Sequence, residues 1–271
     1  MTEKLAPLST MPDAAREGLR GVLTDIDDTL TTHGRLTAAA YAALERLRAA
    51  GLLVIPVTGR PAGWCDHIAR MWPVDAVIGE NGALAMRYDQ NTRRLERRFL
   101  VDDATRQSQR TRLDAIAQRI VAAVPGCALA SDQRYREADI AIDYCEDVPA
   151  LPRDAVDRIV ALLESEGLTA RVSSIHVNAW FGNYDKLAMA RLLLADVFGV
   201  DLDRERDRFA YVGDSPNDAP MFAYFPLAVG VANVRAFVDR IATLPAYVTV
   251  AEAGAGFAEF SDFVLGGTGT A

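Results

Sequence analysis

"GVLTDIDDTLTTHG" (residues 21–34) joins a short apolar run to three carboxylates, Asp25, Asp27 and Asp28, within four positions. Like charges this close repel, so they either face solvent in a turn or are held by something positive. A continuously apolar run of this length reads as a strand buried on both faces, as in a parallel sheet covered by helices. Two more runs have the same form. "GLLVIPVTG" (51–59) ends in Thr58 and Gly59, and "RFAYVGDS" (208–215) ends in Gly213, Asp214 and Ser215. "VDAVIGENG" (74–82), "LAVGVAN" (227–233) and "AYVTV" (246–250) continue the series. Helical stretches lie between the runs, over about 37–50 with Thr37 as N-cap and Gly51 as stop, 61–72 and 184–199. The rhythm predicts an α/β protein with a doubly wound parallel sheet split in sequence.

The middle of the chain changes period. Leu113, Ile116, Ala117, Ile120, Val121 and Val124 recur at helical spacing, as do Val156, Ile159, Val160 and Leu163. Ile140, Ile142 and Tyr144, and then Ile175, Val177, Ala179 and Phe181, alternate with polar residues, which predicts strands covered on one face. The expected organisation is an N-terminal extension (1–19), a core (20–83 and 184–271), and an inserted α+β domain (84–183) with a mostly antiparallel sheet. Gly82 and Gly182 are placed as hinges, and 266–271 form a short Gly/Thr tail.

The chain has 271 residues, half of them hydrophobic, which is ample for a sizeable core. A net charge of -8 gives no support for nucleic-acid binding. No apolar run is long enough for a membrane span, and the first twenty residues lack the apolar stretch of a secretion signal. Cys65, Cys127 and Cys145 show no metal spacing and read as small reduced side chains, so the expected location is cytoplasmic.

Parallel strands would bring their carboxyl ends to one crevice. The groups delivered there are Asp25, Asp27 and Thr29; Thr58, Gly59 and Arg60; Asp214, Ser215, Asn217 and Asp218; and Lys186 at the start of the re-entering helix. Two carboxylates from each of two strand ends form a hard, all-oxygen set that suits Mg²⁺ better than zinc. Arg60 would contact substrate or pair with a carboxylate. Glu80 and Asn81 end a strand and would reach the crevice or form a turn. His33 reads as exposed and His67 as structural. On the insert, the polar face of Asp139, Asp143, His176, Asn178 and Trp180 would meet sugar hydroxyls and a sugar ring, or be solvated, or pack on the core.

"DIDDTLT", "PVTGR", Lys186 and "VGDSPNDAPMF", in that order, resemble the four motifs of the haloacid dehalogenase superfamily. The insert and "GENGA" (79–83) are similar to its Cof-like, type IIB sugar-phosphatase branch. The resemblance implies a Rossmann-like core with an α/β cap and a Mg²⁺-dependent phosphatase acting on a small phosphorylated metabolite, a sugar phosphate. It implies Asp25 as nucleophile and Asp27 as general acid and base. Thr58 would bind a phosphate oxygen and Lys186 would supply charge compensation. Asp25, Asp214, Asp218 and the Asp27 carbonyl would serve as metal ligands, with Asp218 bound directly or through water. Ser215 and Asn217 would orient their loop and Thr29 the first one. Asp28 departs from the pattern, since many members have glycine there, and it receives no role. A phosphotransferase or mutase on the same scaffold, or a non-catalytic sugar-phosphate-binding regulator, are the alternatives. A dinucleotide-binding oxidoreductase is disfavoured because no G-x-G-x-x-G follows the first strand.

Overall fold

The computed structural model describes residues 5–267. The first four residues of the expected extension and the last four of the Gly/Thr tail lie outside the described residues. The chain opens with β1 (Ala6–Pro7), α1 (Asp13–Glu17) and β2 (Gly21–Thr24), followed by the small hairpin β3 (Thr31–Thr32) and β4 (Arg35–Leu36). Next come α2 (Ala38–Ala49), β5 (Leu53–Pro56), α3 (Ala62–Met71) and β6 (Val77–Gly79). Thr37 caps α2 by accepting from the Ala40 amide at 3.2 Å. A second hairpin, β7 (Leu84–Asp89) and β8 (Arg94–Phe99), precedes the insert. The insert holds α4 (Asp103–Ala123), β9 (Ala128–Leu129), β10 (Asp139–Asp143), α5 (Arg153–Ser165), β11 (Thr169–Val172) and β12 (His176–Trp180). The chain returns through α6 (Lys186–Phe198), α7 (Leu202–Glu205), β13 (Phe209–Gly213), α8 (Ala219–Tyr224), β14 (Leu227–Gly230), β15 (Tyr247–Val248) and α9 (Ala253–Val264).

Six strands form one sheet in the order β1-β15-β14-β13-β2-β5, with every neighbouring pair parallel. Consecutive residues along each strand serve opposite faces. Val22, Val54, Val212 and Val229 pack with Leu44 and Leu47 of α2 and Phe257 and Phe260 of α9. Leu23, Ile55, Tyr211 and Ala228 pack with Met189 and Leu193 of α6 and Phe222 of α8. This two-sided burial is why the strands read as unbroken apolar runs, each large side chain contributing about 1.5–3 kcal/mol. From β2 the chain moves outward to β5, and it later returns on the other side at β13. The two strands on either side of that reversal put their carboxyl ends next to each other, where open α/β sheets bind ligands.

The insert's sheet is antiparallel, in the order β11-β12-β10-β9. Ile140, Ile142, Val177 and Ala179 face Leu113, Ile116 and Ile120 of α4 and Ile159 and Leu163 of α5. Three boundaries differ from the sequence expectation. Residues 84–99 pair with β6, and Ile78 in β6 bridges in parallel to Val57, so the hairpin extends the core side and the crossover into the insert lies past Phe99. The segment expected as a mere extension supplies the edge strand β1 and buries Leu8 and Met11. Gly82 is not a free hinge. Its φ is +104°, and a side chain there would meet the Asp185 carbonyl oxygen at 2.1 Å, so glycine lets the start of α6 press against this turn.

Candidate active site

The strand ends fix the site. The Asp25 amide bonds the Val212 carbonyl at 2.8 Å, extending the β2–β13 pairing to the first carboxylate. Asp185 caps α6 through the Ala188 amide and sets Lys186 at its first turn. Lys186 Nζ donates to Asp25 at 2.7 Å and to Asp218 at 2.6 Å, in a site 2% exposed at the lysine. One carboxylate oxygen from each of Asp25, Asp214 and Asp218 lies within 4.8 Å of the others, all buried. Burial raises the Asp25 and Asp214 carboxyl pKa values well above the usual range, and the neighbouring aspartates add to it against the pull of Lys186. Burial alone would lower the Lys186 ammonium, but Asp218 and Asp25 outweigh it and raise it.

Asp218 is the most heavily engaged carboxylate. One oxygen accepts from Lys186 and the Tyr211 hydroxyl, and the other from the Asp214 and Ser215 amides. Asp214 accepts from Thr29 Oγ1 at 3.3 Å and Asn233 Nδ2 at 3.0 Å. Three buried carboxylates against one ammonium, with oxygen donors only, are a set that a hard divalent cation fits, with Asp25 and Asp214 the freer ligands. Thr58 Oγ1 accepts from the Arg60 amide at 3.0 Å in a fully buried turn, and Ser215 Oγ donates to Asn217 Oδ1 at 2.9 Å on the cavity lining.

Asp27 does not join this cluster as a carboxylate. Its two oxygens accept from Arg60 Nε and Nη2 at 2.8–3.0 Å, a forked geometry that only a guanidinium offers. Asp28 sits at φ 55°, the left-handed region where glycine is easiest and aspartate is tolerated, and its amide and carbonyl tie to Thr31 Oγ1 and Asn233 Nδ2. Its place is thus conformational, which explains a residue that the sequence left without a role.

The insert closes over these groups. Arg60, expected either to touch substrate or to pair with a carboxylate, is fully committed: beyond Asp27 it reaches Glu146 at 2.6 Å and Asp132 at 3.4 Å across the seam. Arg136 bonds Asp139, Asp132 and the Gly59 carbonyl. Glu80 takes the Ala62, Glu137, Ala138 and Asp139 amides, joining the start of α3 to the start of β10. Burial and the nearby Asp139 push its carboxyl up to about 7, against Arg136 and those amides. The polar face of the insert's sheet is therefore neither solvated nor an open sugar platform. Asp139, Asp143, His176, Asn178 and Trp180 are all at most 2% exposed. Trp180 stacks on Tyr184 at 5.4 Å and offers no ring face. Asn81, at φ 54°, is buried beside Gly59 and does not line the cavity. Asn178, Gly59, Ser174 and His176 do, with Asp25, Asp27 and Asn217, around only about 10 Å³ of space. A ligand larger than a water molecule does not fit this space with the insert in this position.

Residues 22–112 match the model of the haloacid dehalogenase-like hydrolases. Over 253 residues the chain is 29% identical to a phosphoglycolate phosphatase of Pyrobaculum neutrophilum, covering 92% of this chain and 97% of that one. It is 26% identical to one from Methanosarcina mazei over 251 residues, 90% and 96% of the two chains. The fold is similar to the sucrose-phosphatase of Synechocystis in complex with sucrose and phosphate, with TM-score 0.61, 16% identity, and 91% and 98% coverage. The chain is thus similar to the haloacid dehalogenase-like hydrolases over residues 22–112.

Sequence reasoning missed Asn233 and Tyr211. Asn233 ends the "LAVGVAN" run and so stood at a fourth strand end, the one available signal. Tyr211 looked like core because its ring is core, and only its hydroxyl reaches Asp218. Glu146 was missed because nothing local marks it. Burial would raise its carboxyl, but His176 and Arg60 outweigh that and hold it at about 2. A folded-state value below the ordinary 4.5 means stabilisation that is present above pH 4.5 and lost as pH falls towards 2. Acid titration of the wild-type protein should therefore loosen the seam in that window. Trp64, whose ring stacks under Arg60 at 4.6 Å, should report it as a fluorescence change that Glu146→Gln removes.

Proposed function

We propose that this protein is a Mg²⁺-dependent phosphatase that cleaves a small phosphate monoester, of the sugar-phosphate kind, through a covalent phosphoryl-Asp25. The observation that carries it is the meeting of Asp25 with Lys186 and Asp214 beside a cavity that Asp25 and Asp27 line. An Asp25 oxygen attacks phosphorus as the ester P–O bond breaks, and Asp27 gives its proton to the leaving oxygen. Asp27 then takes a proton from water, which attacks phosphorus and frees Asp25 and phosphate. For this Asp27 presents Oδ2 to the leaving oxygen while Oδ1 keeps its bonds to Arg60 Nε and Nη2. Lys186 balances charge on Asp25 and the phosphoryl oxygens, and Thr58 holds one of those oxygens. Asp25, Asp214 and the Asp27 carbonyl would hold Mg²⁺, with Asp218 directly or through water, and the ion would supply the remaining charge compensation. The closed insert excludes water from the first step.

The relatives named for phosphoglycolate and the sucrose-phosphatase fold support a small phosphorylated substrate. The test is phosphate release across small phosphomonoesters with Mg²⁺. Release that stops in chelator and returns with excess Mg²⁺ is expected, and release that persists in chelator would reject the reading.

A further inference from the structure

We propose that Glu146 makes the closed site reject esters whose leaving group carries a second negative charge, so that the substrate is a small phosphate ester of a neutral, hydroxyl-bearing alcohol. The inference rests on the phosphatase reading and sharpens its substrate class. On the leaving-group side the cavity is bounded by Gly59, Arg60, Ser174, Ile175, His176 and Asn178. Lys186 is spent on Asp25 and Asp218. The lining cations that could meet a second anion are then Arg60 and His176.

Neither is available. Every guanidinium nitrogen of Arg60 already meets a carboxylate: Nε and Nη2 meet Asp27, Nη2 also meets Glu146, and Nη1 meets both Glu146 and Asp132. His176 Nε2 lies 2.9 Å from Glu146. The next cation outward, Arg136, is likewise taken by Asp132 and Asp139. Four carboxylates, Asp27, Asp132, Asp139 and Glu146, thus surround two guanidiniums, and they still outnumber the cations if His176 is counted as one. Glu146 stays ionised at working pH, because its two partners hold its carboxyl far below neutrality.

A substrate carboxylate could reach Arg60 only by displacing Glu146 or Asp27. The displaced carboxylate would remain in the same closed space, facing the newcomer. One uncompensated like charge at near-contact range lowers binding and turnover by roughly tenfold or more. Neutral hydroxyls meet no such penalty, and the Ser174 hydroxyl and Asn178 amide offer partners that exchange hydrogen bonds without net charge.

The test uses two substrates of nearly equal size that differ by one charge, 2-phosphoglycolate and 2-hydroxyethyl phosphate, each with Mg²⁺, with p-nitrophenyl phosphate as a check on the chemistry. The wild-type chain should favour 2-hydroxyethyl phosphate in kcat/KM by about tenfold or more, a comparison that needs no variant. Glu146→Gln should shrink the ratio several-fold, chiefly by raising turnover of 2-phosphoglycolate, and Asp132→Asn should move it the same way. Equal or better wild-type turnover of 2-phosphoglycolate overturns the inference while leaving the phosphatase reading intact. A ratio unmoved in folded Glu146→Gln overturns the part given to Glu146. No release from any of the three, p-nitrophenyl phosphate included, overturns the phosphatase reading and this inference with it.

Discussion

Replacing Asp25 by asparagine is expected to lower phosphate release by about ten-thousandfold or more, because the amide cannot serve as the attacking oxygen nucleophile. The loss should not come from unfolding. Asp25 is buried beside Asp218 and Asp27, both of which disfavour its charge, so a neutral side chain of the same shape relieves repulsion. Lys186 loses one partner but keeps Asp218 at 2.6 Å, so no ammonium is left buried and alone. The variant's midpoint of thermal unfolding should therefore match or exceed that of the metal-free wild type. Near-normal phosphate release from folded Asp25→Asn would remove the nucleophile from the account.

Asp214→Asn should separate metal binding from folding. Without a cation, Asp214 has burial and three aspartates, Asp25, Asp218 and Asp28, against its charge, with Lys186 as the opposing influence. A ligand bound only by the folded state at a hundred times its Kd stabilises by about 2.7 kcal/mol. For a chain of this size that is a rise in unfolding midpoint of roughly 5–10 °C. Wild type with Mg²⁺ should show it, and chelator should abolish it. Asp214→Asn should show little or none, while its metal-free midpoint equals or exceeds that of metal-free wild type. The variant should also lose phosphate release by at least about a hundredfold. An undiminished Mg²⁺-induced rise in Asp214→Asn would place the cation elsewhere.

The core was legible because its physics is local. A strand buried on both faces must be apolar at every position, and Val22 and Leu23, or Val54 and Ile55, write that into neighbouring residues. The groups gathered at the candidate site were legible for the same reason: they follow those strands directly. What failed was information that depends on a distant partner. Alternation at 139–143 and 176–180 gave the period of the insert's sheet but not what covers its second face. Arg136, Glu80 and Arg60 compensate the buried polar groups there, and none adjoins those strands as a recognisable pattern except Arg136. Asp27 was assigned with Asp25 because they are two residues apart, whereas its side chain is set by Arg60, 33 positions away. Helix α9 was not expected from "AGAGFAEFSDFV", whose glycines are weak helix formers. Packing reverses that preference: a side chain at residue 254 would meet the Leu30 carbonyl oxygen at 2.7 Å, so only glycine lets the helix lie against the loop after β2.

The proposed catalysis forms a covalent bond between phosphorus and one oxygen of Asp25. Acid-quenching the wild-type protein within milliseconds of mixing with a phosphate-labelled substrate and Mg²⁺, then mapping the label by peptide mass spectrometry, measures it directly. One labelled peptide is expected, carrying the phosphoryl group on Asp25, that disappears on chase with unlabelled substrate. Rapid phosphate release with no label on Asp25 at any quench time would contradict it.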